Sequence, residues 1–309
     1  ICLINIHKWF KERMMRMDLE LRVLRYFLSA VRNGSITAAA NELHITQPTL
    51  SKQLMEIESK LGKTLFLRGG RKITLTEEGK FLYDIATEIV NLADSTEAEL
   101  KADEDIVNGE INIGSGETRS ISYIAEAIKR LTELYPNIKI NLYSGNEEDI
   151  AERLDSGFFD FALFVGAADM SKYDYIKLPS YDEWGLIMRK DDPMSELNVI
   201  TADDIHDIPL IFPRQVLDRN DLSDWTGPQD KLNIKCTYNL IFNASVMTEK
   251  RIGSAVCIGN IADTSSESEL CFRPFYPEVT ADLFIAWKKH RVFSRASKKF
   301  LETLKAISV

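Results

Sequence analysis

Apolar positions along this chain recur first with a helical period and later with a strand period. Leu21, Leu24, Phe27, Leu28 and Val31 share one face of a helix predicted from Leu19 to Arg32. Leu50, Leu54, Ile57 and Leu61 repeat that spacing further on, until Gly62 stops the helix. Between these stretches Ser35 can cap a short helix in which Ala38, Ala39 and Ala40 let a second helix cross closely, and Leu43 closes the inner face. His44-Ile45-Thr46 reads as the turn. Thr46 can accept amide protons at the next helix start, and Pro48 falls in a first turn where its missing N–H does no harm. Thr64 to Leu67 and Lys72 to Leu75 then read as two short strands around Gly69-Gly70, and a long helix follows from Thr76 to about Asp103.

Beyond the polar segment Lys101-Ala-Asp-Glu-Asp the pattern alternates between strand and helix. Strands are predicted at Glu110 to Gly114, Ile138 to Tyr143 and Phe159 to Val165, with helices at Ile121 to Tyr135 and Asn146 to Ser156 between them. A second set of strands follows at Asp182 to Arg189, Leu210 to Phe212, Ile234 to Tyr238, Ser254 to Ile258 and Cys271 to Phe275. A last strand, Leu283 to Trp287, and a helix, Ser294 to Ile307, end the chain.

The N-terminal elements spell a winged helix-turn-helix, which makes double-stranded DNA the first partner to consider. Gln47, Thr49, Ser51, Lys52 and Gln53 stand on the polar face near the start of the second helix, the end a recognition helix presents to base edges. Ser35, Thr46 and Pro48 complete the candidate set. Arg68, Arg71 and Lys72 at the wing tip would reach the backbone or a minor groove, the alternative being a solvated basic turn. On the long helix Leu82, Ile85, Ile89 and Leu92 form a stripe whose natural partner is the same helix of a second subunit; a core helix is the other reading.

In these residues, and in Leu24-Arg25-Tyr26-Phe27, Leu61-Gly62, Leu65-Phe66-Leu67-Arg68 and Leu75-Thr76-Glu77-Glu78-Gly79, the chain resembles the LysR-type transcriptional regulators. The resemblance runs from about Asp18 to the C-terminus, densely in the DNA-binding part and mainly as architecture afterwards. It implies an α/β multidomain protein: a winged helix-turn-helix at 18–76, a linker and dimerisation helix at 77–104, and a periplasmic-binding-protein-like effector domain of two α/β subdomains at 105–309. Subdomain I is expected at about 109–167 plus 277–309 and subdomain II at about 168–276, with crossing strands near Gly166 to Ala168 and near Tyr276 to Thr280. Residues 1–17 read as an upstream extension, with Met15 or Met17 as the natural start. Lys52 stands where the family usually has Arg and lacks the planar fork that reads guanine bidentately.

Net charge is −9, which by itself argues against a nucleic-acid binder. By segment the picture reverses: residues 18–76 hold nine Lys and Arg against five acids, while residues 77–309 carry −16. No run approaches a membrane span, and the opening residues lack the order of a secretory signal, so a cytoplasmic protein is expected. Cys2, Cys236, Cys257 and Cys271 show no Cys-x-x-Cys spacing; a redox switch among the last three and buried packing are both open. His7, His44, His206 and His290 make no metal pattern.

Open parallel sheets bind ligands beyond the carboxyl ends of their strands. That rule selects the loops Ser115-Gly116-Glu117-Thr118, Ser144-Gly145-Asn146 and Val165-Gly166, and from the second set Phe212-Pro213-Arg214-Gln215 and Phe242-Asn243-Ala244. The candidate effector contacts are therefore Ser115, Gly116, Glu117, Thr118, Ser144, Gly145, Val165, Gly166, Pro213, Arg214 and Asn243. A guanidinium at Arg214 would suit a carboxylate or phosphate. Glu117 pulls the other way: it can complement a helix dipole, pair with Arg214, or meet a cationic ligand group. Gly114-x-Gly116 lacks the third glycine of a dinucleotide loop, Arg119 standing there. No Ser-His-Asp or Cys-His arrangement can be placed, which argues against an enzyme.

The resemblance implies no cofactor beyond a small-molecule co-inducer. Its partners would be operator DNA, a second copy in a homodimer and then a homotetramer, and RNA polymerase. A solute-binding protein and an effector-free DNA binder are the rival classes.

Overall fold

The computed structural model describes residues 19–67, 73–101, 107–166 and 169–307. It separates into two compact units, 1–97 and 98–309. Arg68, Arg71, Lys72, the expected extension 1–17, and residues 167 and 168 of the first expected crossing lie outside the described residues.

In the N-terminal unit, α1 (Leu21–Asn33), α2 (Ile36–Glu42) and α3 (Gln47–Leu61) enclose one core around Leu24, Phe27, Ala39, Leu50 and Ile57. Ala39 and Ala40 are fully buried, as expected of a close helix crossing. Ser35 accepts the Ala38 N–H and Thr46 the Thr49 N–H, each at 3.4 Å, so both helix starts carry the predicted caps. Gly62 ends α3 in the left-handed conformation (φ 63°). Ser29 and Asn33 of α1 both donate to the Glu42 carboxylate at the end of α2, a tie that spans the turn at Gly34.

Where two wing strands were expected, the described residues show a single antiparallel bridge, Phe66 to Leu75, with the Leu67 N–H donating to Thr74 O at 2.8 Å. Glu58 of α3 takes the amides of Leu65 and Phe66 at 2.7 and 3.2 Å, and together with the Thr76 N–H to Leu65 O bond at 3.0 Å this side chain fixes the first leg of the wing. The long helix α4 (Glu77–Lys101) starts against that leg: a Cβ at Gly79 would meet Leu65 O at 2.1 Å. The expected dimer stripe needs one correction. Leu82 is 8% exposed and packs with Ala86 and Val90 into the core of its own unit, whereas Ile85, Ile89 and Leu92 stay 38–48% exposed and continue the line of Phe81.

The C-terminal unit is built on a mixed sheet of order β2-β1-β3-β9-β4-β7-β5-β6, with β8 also on β4. Its strands are β1 (Gly109–Ser115), β2 (Ile138–Ser144), β3 (Phe161–Val165), β4 (Tyr173–Arg189), β5 (Leu210–Pro213), β6 (Ile234–Tyr238), β7 (Ser254–Ile258), β8 (Leu270–Pro274) and β9 (Thr280–Lys288). β1 pairs in parallel with β2 and β3, and β5 in parallel with β6 and β7, so each end of the sheet is a small parallel α/β subdomain. α5 (Ile121–Leu134) and the final helix α11 (Arg295–Ile307) bury Ile124, Leu131 and Phe300 with Ile113 and Phe161 on subdomain I. α6 (Glu147–Asp155) packs Ile150 and Leu154 with Phe159, Phe164 and Tyr173. Subdomain II has its own cores around Leu186, Phe212 and Val256, and around Ile187, Ile241 and Cys257, and carries the short helices α7 (Ala202–Ile205) and α9 (Ser223–Thr226).

The subdomains are joined by two long antiparallel strands. Tyr173 to Lys177 of β4 zip onto Lys288 to Phe284 of β9 inside subdomain I; the register slips between Lys177 and Tyr181; then Tyr181 to Glu183 pair with Asp282 to Thr280, and Gly185 to Arg189 pair with β8. The first crossing therefore lies at about 178–183, not at Gly166 to Ala168. Pro179 sits in the slip and cannot donate to the ladder, so the β4–β9 pairing is interrupted there. The return crossing, at Thr280 to Asp282, falls beside the expected one.

Candidate functional site

Each unit carries a candidate surface, and each is built from the ends of its elements. On α3, Leu50, Leu54 and Ile57 are buried, whereas Gln47, Thr49 and Lys52 are exposed and Ser51 is half-buried. They stand within the first two turns, where unsatisfied amides and short polar side chains face outward together. Other members of the predicted set do local work. Ser35 and Thr46 are caps, the Thr46 hydroxyl also lies 2.8 Å from that of Thr49, and Pro48 opens the helix. Gln53 gives its amide to Glu56 at 2.8 Å. Lys52 is 73% exposed with only a long 3.8 Å approach to Glu56, so its ammonium is held loosely.

The second surface is a cleft in the C-terminal unit between its two subdomains, enclosing about 980 Å³ including the part open to solvent. Gly116, Glu117, Gly145, Val165, Gly166 and Pro213 line it as predicted. Backbone bonds hold the subdomain I loops at this edge: Gly116 N–H to Leu163 O and Gly145 N–H to Ser115 O, both 3.1 Å. A Cβ at Gly114 would lie 2.6 Å from the Phe159 ring. Packing therefore explains the glycine that suggested a nucleotide loop.

Five predicted contacts do not line the cleft. Ser115 and Thr118 are buried behind it, where the Ser115 hydroxyl donates to Gly116 O at 2.7 Å and that of Thr118 to Asp182 at 2.5 Å. The second bond ties the loop to the crossing strand, and burial pushes the Asp182 carboxyl up despite it. Ser144 is exposed at the end of β2, and Asn243 is exposed on α10 (Ile241–Glu249). Arg214 is exposed at the start of α8 (Arg214–Arg219), one end of a six-residue helix whose other end supplies the cation instead.

That cation is Arg219, which the sequence reading missed. Its guanidinium bonds to Glu147 of subdomain I and, at 2.8 Å, to Asp221 of its own subdomain. The Glu147 and Arg219 side chains are only 16% and 33% exposed. Burial raises the Glu147 carboxyl above its ordinary range and Arg219 only partly offsets it. Burial pulls Arg219 down, but its two carboxylate partners outweigh that and raise it. A second link crosses the cleft: the Ile241 N–H, first in α10, donates to Glu117 Oε2 at 2.8 Å. Trp184, Tyr238 and Ile258 add apolar wall, the buried Tyr238 hydroxyl donating to Val256 O at 2.7 Å.

Of the cysteines, Cys257 and Cys271 are buried in the cores of subdomain II, and burial pushes both thiols up, away from the reactive thiolate.

Residues 21–80 match the model of bacterial regulatory helix-turn-helix proteins of the lysR family, and residues 105–307 that of the LysR substrate binding domain. A probable RuBisCO transcriptional regulator of Porphyra purpurea is 29% identical over 200 residues, 64% of this chain and 63% of that protein. The regulator CfxR of Cupriavidus necator is 35% identical over 145 residues, 47% of this chain and 45% of its own length. The match thus spans less than two thirds of either relative. Among solved structures, full-length CbnR complexed with its target DNA shares the fold at a TM-score of 0.65 and 17% identity, over 94% of this chain and 100% of that one.

Proposed function

The chain belongs to the LysR family of bacterial helix-turn-helix regulators, a family of transcription factors and not of enzymes, and from that premise we propose that it binds operator DNA sequence-specifically under the control of a small molecule held in the cleft. The observation that carries the first half is the exposure of Gln47, Thr49 and Lys52, with Ser51 half-buried beside them, at the start of α3. Gln suits an adenine edge bidentately, Ser and Thr are versatile, and Lys contacts a guanine edge or a phosphate. Arg68, Arg71 and Lys72 would add backbone or minor-groove contacts. The relative solved with its target DNA supports this reading by shared fold.

The second half rests on a cleft between two α/β subdomains, lined by strand-end loops where such sheets receive ligands. Two copies would join through the exposed Ile85, Ile89 and Leu92 stripe of α4, setting two recognition helices against the half-sites of a symmetric operator. A tetramer, contact with RNA polymerase and residence in the cytoplasm, where the DNA is, complete the reading; no cofactor enters it. Among the described residues no helix is long and apolar enough to cross a membrane. Ligand closure of the cleft would change the geometry with which paired DNA-binding units bend the operator.

Selection from a randomised DNA pool would supply the operator. Gln47→Ala or Ser51→Ala should then lower the ratio of operator to random-DNA affinity about tenfold to a hundredfold, with random-DNA binding retained. An unchanged ratio removes these residues as readers.

A further inference from the structure

We propose that the cleft of the C-terminal unit takes a small organic cation, an amine on an apolar body, with the Glu117 carboxylate as its counter-ion. This rests on the reading of the cleft as the effector site and adds the sign of the ligand's charge. Among the described residues Glu117, Glu147, Asp221 and Arg219 are the charged side chains that line it, three carboxylates against one guanidinium. Arg219 is already shared between Glu147 and Asp221, so the lining offers an incoming anion no uncommitted cation.

Glu117 is differently placed. Among the described residues its one hydrogen bond is the Ile241 N–H, and no Lys, Arg or His pairs with it. A carboxylate has about four acceptor positions, so room for an ammonium group remains. Leu163, Phe164, Trp184, Ile258 and other apolar residues make up much of the remaining wall, beside the uncharged polar Gln215, Asn239 and Thr280, which suits an apolar body with one charged end.

Two of the helix starts at the cleft give the same sign. Helix starts are where a cleft of this kind would receive an anion. Here α6 opens with Glu147, Glu148 and Asp149, and the first amide of α10 is taken by Glu117. An entering carboxylate would displace a side chain of its own charge at one site and face three at the other.

The test uses the full chain with 2-phenylethylamine and 3-methylbutylamine, and with their carboxylate counterparts 3-phenylpropanoate and 4-methylpentanoate. The amines should raise the melting midpoint and the carboxylates should not. Glu117→Gln keeps an oxygen for the Ile241 N–H while removing the charge, and should weaken amine binding on the order of ten- to a hundredfold. Glu133→Gln, on the exposed side of α5, should leave it unchanged. Stabilisation by the carboxylates or an uncharged metabolite without the amines overturns the cation and leaves the effector cleft standing. Amine binding that survives Glu117→Gln overturns the counter-ion. Silence from both probe sets and from a screen of uncharged and zwitterionic metabolites overturns the cation and the effector reading together.

Discussion

A carboxylate fixed between two guanidinium groups loses its proton early, and Asp191 at the end of β4 is such a group. Arg189 grips it with two bonds, at 2.9 and 3.1 Å, and Arg251 reaches its second oxygen. The Arg189 bonds, against the opposing effect of burial and with help from Arg251, bring its pKa down to about 2. A folded-state pKa below the unfolded value of 3.8 means that the stabilisation is complete above that value and fades as pH falls from there toward 2. Asp191→Asn should therefore flatten the acid limb of a stability-versus-pH curve between pH 4 and 2 while leaving the slope near neutrality as it was; an acid limb as steep as before would show that the pair adds nothing. Legibility at this scale follows sequence separation. Gln47, Thr49, Ser51 and Lys52 could be placed together because they fall within the first two turns of a single helix. Glu147 and Arg219 meet across 72 residues, and nothing in either local pattern announces the partner. Arg214 is favoured by its place at a strand end, yet Gln215, Val216 and Arg219 of α8 line the cleft and Arg214 does not.

The same contrast operates between elements. The periodicity of α4 is plain in the sequence, but period alone assigns no partner to each ridge. Leu82 falls in a predicted stripe with Ile85 and Ile89 and instead turns into the core beneath α1 to α3, because Gly79 lets the helix start approach Leu65 closely. Truncating Leu82 to Ala should destabilise the N-terminal unit by about 2–4 kcal/mol, read as a lower melting midpoint. Ile89→Lys should leave that midpoint nearly unchanged and shift the sedimentation coefficient toward a smaller species as the chain is diluted. Equal sedimentation of variant and parent at every concentration would remove this ridge from any assembly. β4 shows where the sequence reading ran short by a whole half-strand. Asp182 to Arg189 is legible as an apolar run, whereas Tyr173 to Lys177 is mostly exposed beyond Tyr173, shows no clean alternation, and pairs as a strand where β9 returns beside it.

At the scale of the whole C-terminal unit, subdomains with separate cores are held across the cleft by a few polar links, and their energies are unequal in an informative way. Removing Arg219 would leave Glu147 as a charge 16% exposed with no guanidinium beside it, whereas Glu147→Gln leaves Arg219 its bond to Asp221. A half-buried ion pair contributes little net, but stripping one partner exposes the other to its desolvation penalty. Arg219→Ala should therefore speed hydrogen exchange at the cleft-side amides of α6 and α10 by about tenfold, Glu147→Gln by much less, and the double variant should return toward the parent. The Glu147 carboxyl has its pKa raised, chiefly by burial, so its charged form is the costly one in the folded state. Lowering pH supplies the proton that relieves it, and the excess exchange of Arg219→Ala should shrink as pH falls through that pKa, after correction for intrinsic rates. A double variant that opens as readily as Arg219→Ala, or an excess that grows on acidification, would mean that the guanidinium holds the cleft shut by something other than compensating this carboxylate.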